Sequence, residues 1–113
     1  MTIAINRERL ADTFTELCEI SSPSRKEGTI ASFLKEKFAN LGADSIFEDG
    51  SATKTGSECG NLIIRFDGNL PNQEGTFFSC HMDTVEPADG VKVVRSGDIF
   101  TSQGDTVLGS DDK

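Results

Sequence analysis

The sequence predicts an α/β domain in which two amphipathic helices precede a mixed, mostly buried sheet. Apolar residues recur at helical spacing as far as Gly42, and beyond it the pattern changes to short runs typical of strands. Glycine-containing turn signals separate those runs. A length of 113 residues is enough for one small domain with a single core.

The first predicted helix covers Arg7 to Ile20. Its apolar side chains follow the i, i+4, i+7, i+8 spacing of one helix face: Leu10, Phe14, Leu17 and Cys18. Pro23 disfavours helical geometry at Ser22, so the segment Ser21–Ser24 ends the helix.

The second predicted helix begins after Ser24 and ends at Gly42. Ser24 stands three residues before Glu27, the spacing of a capping box, so Ser24 is expected to cap this helix. Gly42 occupies the place of a left-handed C-terminal cap. Between them the apolar stripe consists of Ile30, Phe33, Leu34, Phe38 and Leu41.

Five short runs are predicted to be strands. They are Ser45–Glu48, Asn61–Phe66, Thr76–His81, Val91–Arg95 and Ile99–Thr101. The last two are separated by Ser96-Gly97-Asp98 and form a candidate hairpin. Thr76–His81 is almost continuously apolar, which is typical of a strand covered on both faces.

The charge excludes some classes of partner. Nineteen acidic residues against eleven basic ones give a formal net charge of −8 and a pI near 4.5. Nucleic acid and anionic membrane surfaces would repel such a chain, so neither is expected as a partner. We find no secretory signal or membrane-spanning run, and three cysteines without paired spacing indicate reduced thiols, so a cytoplasmic location is expected.

His81 and Asp83 are the first candidate functional residues. His81 is the only histidine, and Asp83 follows two residues later, so both side chains point to one face of an extended segment while Cys80 points to the other. A carboxylate beside an imidazole is the arrangement that orients a metal-binding histidine. Taken alone, the pair is more often a solvated pair at a strand end.

The second candidate is the segment Leu108-Gly-Ser-Asp-Asp-Lys113. Adjacent Asp111 and Asp112 repel each other, and a bound cation is one remedy for that repulsion. The alternative is an ordinary helix cap, since aspartate after Gly-Ser caps helices well. The segment alone favours the cap.

Together the two segments resemble the metal-binding core of the peptidase T group. The residues that carry the resemblance are Ser79-Cys-His-Met-Asp-Thr-Val85 and Gly104-Asp-Thr-Val-Leu-Gly-Ser-Asp-Asp-Lys113. The group belongs to a superfamily of co-catalytic zinc hydrolases that includes aminoacylases and carboxypeptidase G. Asp-Asp-Lys is the more discriminating part, since most other branches carry Asp-Met-Lys.

The resemblance implies a role for each matching residue. His81 would be a ligand of one zinc, Asp83 would be the active-site residue that orients His81, and Asp111 would bridge both zincs. Asp112 would not be a ligand. The implied cofactor is a pair of zinc ions, with cobalt as a substitute.

The implied activity is a zinc-dependent, tripeptidase-like exopeptidase that removes N-terminal residues from small peptides. In the family the general-base glutamate and the remaining ligands come later in the chain. Residues 1–113 are therefore expected to be the N-terminal part of the catalytic domain, ending after the Asp-Asp-Lys loop, without a lid or dimerisation domain and without activity alone.

Three alternatives stay open at this point. One is an amidohydrolase of acylated amino acids from the same superfamily. Another is an inactive fragment that forms homo-oligomers through bare sheet edges. An aspartic peptidase is disfavoured, because Val85 and Val107 follow the two Asp-Thr pairs where that class needs glycine.

Overall fold

The computed structural model of the chain describes residues 2–110 and confirms the α/β class. In chain order its elements are α1 (Arg7–Glu19), α2 (Gly28–Asn40), β1 (Ser45–Glu48), α3 (Ala52–Thr55), β2 (Leu62–Arg65), β3 (Val93–Ser96) and β4 (Ile99–Ser102). Over this part of the chain, none of the helices has the length and apolar character needed to cross a membrane.

The strands form two separate antiparallel sheets, where the sequence predicted one mixed sheet. In the first sheet β1 pairs with β2, with Ile46 opposite Ile64. In the second, β3 pairs with β4 as the predicted hairpin, with Val94 opposite Thr101. The sheets stay separate because the chain between β2 and β3 forms no strand that could join them.

The predicted buried strand Thr76–His81 is wrong for the described chain. Residues 76–81 form no ladder with any strand in residues 2–110, and the side chains of Phe77 and Phe78 are 83% and 86% exposed. A strand of this composition needs a hydrogen-bonded neighbour and cover on both faces. The described residues supply neither.

Helix α1 packs against the second sheet. Its N-terminus is capped by Asn6, whose side chain accepts from the backbone N–H of Arg9 at 3.0 Å. Phe14 meets Phe100 edge to face, with ring centroids 5.1 Å apart. The β3–β4 hairpin therefore packs against α1 through Phe14, which belongs to the apolar face that the spacing predicted.

Helix α2 begins later than the capping-box pattern predicted, and that prediction is wrong. Glu27 takes the N-cap position without a side-chain cap, and the side chain of Ser24 bonds elsewhere. The cause lies at Arg25, whose φ of 73° turns the chain before the helix starts. At the other end Gly42 has a φ of 83°, the left-handed conformation expected of it.

Candidate metal centre

His81 and Asp83 contact each other directly. Nδ1 of His81 lies 2.8 Å from the backbone carbonyl oxygen of Asp83 and 3.3 Å from Oδ1 of the Asp83 carboxylate. Both partners accept hydrogen bonds, so Nδ1 carries a proton, and Nε2 is the nitrogen through which a neutral imidazole would bind a metal. The two side chains are 47% and 36% exposed, which leaves the pair at the surface of the described chain.

The segment Ser21–Ser24 lies beside this pair and contacts Asp83 through Ser24. The backbone N–H of Thr84 donates to the carbonyl of Ser22 at 2.8 Å, and Pro23 pairs with Thr84 in a parallel bridge. This alignment places the hydroxyl of Ser24 against Asp83, where it donates to Oδ2. Asp83 is thus hydrogen-bonded to Ser24 through its carboxylate and to His81 through its backbone carbonyl, and its carboxylate also lies 3.3 Å from the imidazole.

Sequence reasoning missed Ser24 as a site residue. The local spacing of the segment Ser-Ser-Pro-Ser indicates a helix break and predicts a helix cap at Ser24. The contact with Asp83 joins residues 59 positions apart, and local spacing carries no information about it.

The glycine-containing loop that precedes Asp111 packs against the same region. Val107 donates its backbone N–H to the carbonyl of Pro87 at 2.9 Å. Gly109 has a φ of 85°, and a Cβ there would lie 3.0 Å from Cγ2 of Thr84, so this approach requires glycine. Asp111 and Asp112 themselves lie outside the described residues, and the bridging role of Asp111 stays a prediction.

The donor chemistry of these residues fits one part of a zinc site. A histidine whose Nδ1–H is held by a backbone carbonyl or a carboxylate is a usual zinc ligand with its orienting partner. Within residues 2–110 no group of three or more His, Cys, Asp or Glu side chains is arranged to hold a metal. The described residues therefore supply one candidate ligand and a partner that orients it, and a complete coordination sphere needs further residues.

Comparison with known proteins gives close matches over nearly the whole chain. The chain is 40% identical over 109 residues to the uncharacterized protein YqjE of Bacillus subtilis, with 96% of this chain and 29% of that protein covered. It superposes on the crystal structure of aminopeptidase PepT from Bacillus cereus with a TM-score of 0.90 at 38% identity. It superposes on a tripeptidase from Staphylococcus aureus with a TM-score of 0.87 at 39% identity.

These matches cover nearly all of this chain but less than a third of each relative. Each crystal structure is matched over 96% of this chain and 29% of its own length. The chain matches no protein-family model. Identity near 40% with a TM-score near 0.9 requires a common fold and a common origin over the matched residues, so the chain is similar to a segment of peptidase T-like proteins and spans 29% of the length of each of these relatives.

Proposed function

We propose that the chain forms part of the catalytic domain of a zinc-dependent exopeptidase that removes N-terminal residues from small peptides. The observation that carries the proposal is the contact of His81 with Asp83, in which Nδ1 lies 2.8 Å from the backbone carbonyl oxygen and 3.3 Å from the carboxylate. The likeness to an aminopeptidase and a tripeptidase over 96% of the chain supports peptides as substrates.

Each residue has a separate task in this proposal. Nε2 of His81 would hold one zinc, Asp83 would keep the proton of His81 on Nδ1, and Asp111 would supply a further carboxylate to the metal site. When bound, two zinc ions acidify a water molecule toward neutral pH and polarise the scissile carbonyl. Asp83 would also raise the basicity of the imidazole and so favour metal binding by His81.

The proposal includes a limit on what residues 1–113 do alone. Zinc sites normally use three or four protein ligands, and only His81 and Asp111 match ligand positions in this chain. A general base is worth ~10²–10⁴-fold in rate, and no residue of the chain matches the family's glutamate. Glu86 is the nearest carboxylate past Asp83 in sequence, but its side chain is exposed in a loop. We therefore expect weak zinc binding and no detectable peptide hydrolysis by residues 1–113.

Calorimetric titration of zinc into residues 1–113 tests the assignment of ligands. The His81→Ala variant should lose at least about tenfold in affinity, since even outer-sphere partners of a metal ligand are worth ~10–100-fold. Asp112→Asn is the matched control, because it changes the charge beside Asp111 and should leave zinc affinity within about twofold.

Two results would contradict the proposal. Unchanged zinc binding by His81→Ala would remove His81 as a ligand. Nanomolar binding of two zinc ions per chain, or chelator-sensitive release of N-terminal amino acids from tripeptides by residues 1–113, would show that the site is complete without further residues.

A further inference from the structure

We propose that Ser24 is a positioning residue that acts on His81 through the carboxylate of Asp83. The hydrogen bonds themselves do not depend on a metal, and the consequence for zinc affinity rests on the proposed function. The inference gives the segment before α2 a part in the site, where the sequence suggested a helix cap.

The carboxylate of Asp83 is shared between two neighbours. Its Oδ2 accepts the hydroxyl of Ser24, and its Oδ1 lies 3.3 Å from Nδ1 of His81. Asp83 is 36% exposed, so water competes for both oxygens. A second anchor on Oδ2 is therefore what keeps Oδ1 directed at the imidazole.

The backbone on both sides of Ser24 is held in place. Before it, Pro23 pairs with Thr84 and the carbonyl of Ser22 accepts from Thr84. After it, Arg25 adopts a left-handed φ of 73°, which few residues other than glycine, asparagine and aspartate adopt.

Two glutamates hold that unusual turn. The backbone N–H of Arg25 donates to Oε1 of Glu27 at 2.7 Å, and the carbonyl of Arg25 accepts from the backbone of Glu58 at 3.1 Å. Ser24 thus lies between Pro23 and Arg25, whose backbones are both held by contacts with other segments. Its hydroxyl therefore contacts Asp83 from a constrained backbone position.

The two acceptors around Nδ1 of His81 have different tasks. The carbonyl of Asp83, at 2.8 Å, holds the proton on Nδ1 whether or not the carboxylate is in place. The carboxylate adds negative charge beside the ring, and only this second contact depends on Ser24. Loss of the Ser24 hydroxyl should therefore free the Asp83 side chain while the tautomer of His81 persists.

Nuclear magnetic resonance on residues 1–113 separates these contributions, and the single histidine makes the ring signals unambiguous. Three-bond couplings from Asp83 Cγ to its backbone N and C′ report the χ1 rotamer. We expect one rotamer in the native chain and in Ser24→Thr, and averaged couplings in Ser24→Ala and in Ser24→Cys, whose thiol is a weak donor. Ring ¹⁵N shifts of His81 should keep the Nδ1–H pattern in all four.

Ser21→Ala is the matched control. Ser21 belongs to the same segment, and its hydroxyl donates to Asp89 at 2.6 Å, away from Asp83. This variant should retain the single Asp83 rotamer. In zinc titration, Ser24→Ala should weaken binding by about three- to tenfold, less than the ~10–100-fold typical of a direct partner of the ligand. Ser21→Ala and Ser24→Thr should stay within about twofold of the native chain.

The outcomes distinguish this inference from the proposed function. A single Asp83 rotamer in both Ser24→Ala and Ser24→Cys would overturn it, and so would equal averaging in Ser21→Ala, which would indicate general loosening of the segment. If the couplings change as expected and no variant binds zinc, the positioning role of Ser24 stands and the proposed metal site fails.

Discussion

At the scale of single residues, burial separates the three cysteines. Cys18 and Cys59 are 3% and 8% exposed, whereas Cys80 lies in the exposed segment before His81. Burial raises the pKa of the Cys59 thiol, and the nearby carboxylates of Glu27 and Glu48 raise it further. Both effects reduce the thiolate, which is the reactive form.

Alkylation at neutral pH should therefore modify Cys80 before Cys59. We expect iodoacetamide to label Cys80 several-fold faster, because this thiol is accessible, whereas Cys59 is covered and its raised pKa lowers its thiolate fraction. Mass spectrometry of proteolytic peptides taken at successive times measures the two rates. In denaturant the difference should vanish, and equal rates in the folded chain would contradict the burial of Cys59.

At the scale of elements, the carboxylate of Asp49 joins the end of β1 to the start of β2. It accepts hydrogen bonds from the backbone N–H and hydroxyl of Ser51, at 3.0 and 2.6 Å. It also accepts from the backbone and side-chain amides of Asn61, at 2.9 and 2.8 Å. These hydrogen bonds hold the pKa of the Asp49 carboxyl well below its usual range, and the bond from the Ser51 hydroxyl has the largest effect.

This lowered pKa predicts a loss of stability in acid. A carboxyl whose pKa is lower in the folded state contributes stability that is present above its unfolded-state pKa of about 3.9. That contribution is lost as the pH falls further, toward the folded-state pKa. Asp49→Asn should therefore be less stable than the native chain at neutral pH, and the difference should shrink as the pH falls below about 4.

Urea unfolding of both chains at a series of pH values measures the difference. Asp105→Asn removes a negative charge from an exposed position in another loop and serves as the control. It should change the unfolding midpoint less than Asp49→Asn does. A gap between Asp49→Asn and the native chain that widens toward acid would contradict the assignment to Asp49.

At the scale of the whole molecule, the described chain is thin and incompletely covered. Its radius of gyration is 16.0 Å and its extents are 50 × 43 × 20 Å, whereas a compact domain of this length has a radius of about 13 Å. The uncovered apolar surface includes Phe77 and Phe78 in the uncharged run 75–80. An exposed, apolar and unpaired segment is a template for pairing with another strand.

We predict that residues 1–113 alone associate with a second copy through the run 75–80. Light scattering coupled to size exclusion should show a mass that rises with concentration. Added salt should strengthen association, because it screens the repulsion between chains of net charge −8.

A charge placed in the run tests this prediction. Phe78→Lys should restore a monomer, and Leu41→Lys, which alters an exposed apolar residue after α2, should not. A monomeric native chain at every concentration, or equal effects of the two variants, would contradict association through this segment.

Local patterns were sufficient for much of the fold. The start of α1 at Arg7, the left-handed Gly42 and the bounds of β1 follow from spacing and turn residues within a few positions. The approach of His81 to Asp83 also follows from a local rule, since residues two apart in an extended segment share a face. These features depend on backbone geometry that neighbouring residues decide.

Contacts between distant segments were decided only by the tertiary structure. Whether Ser24 caps a helix or holds Asp83 depends on the pairing of Pro23 with Thr84, and no local pattern reports that pairing. Whether residues 76–81 form a buried strand likewise depends on neighbours from elsewhere in the chain, because a strand is completed by its partners. The amino-acid pattern determined which segments are apolar, and the tertiary structure decided what each of them contacts.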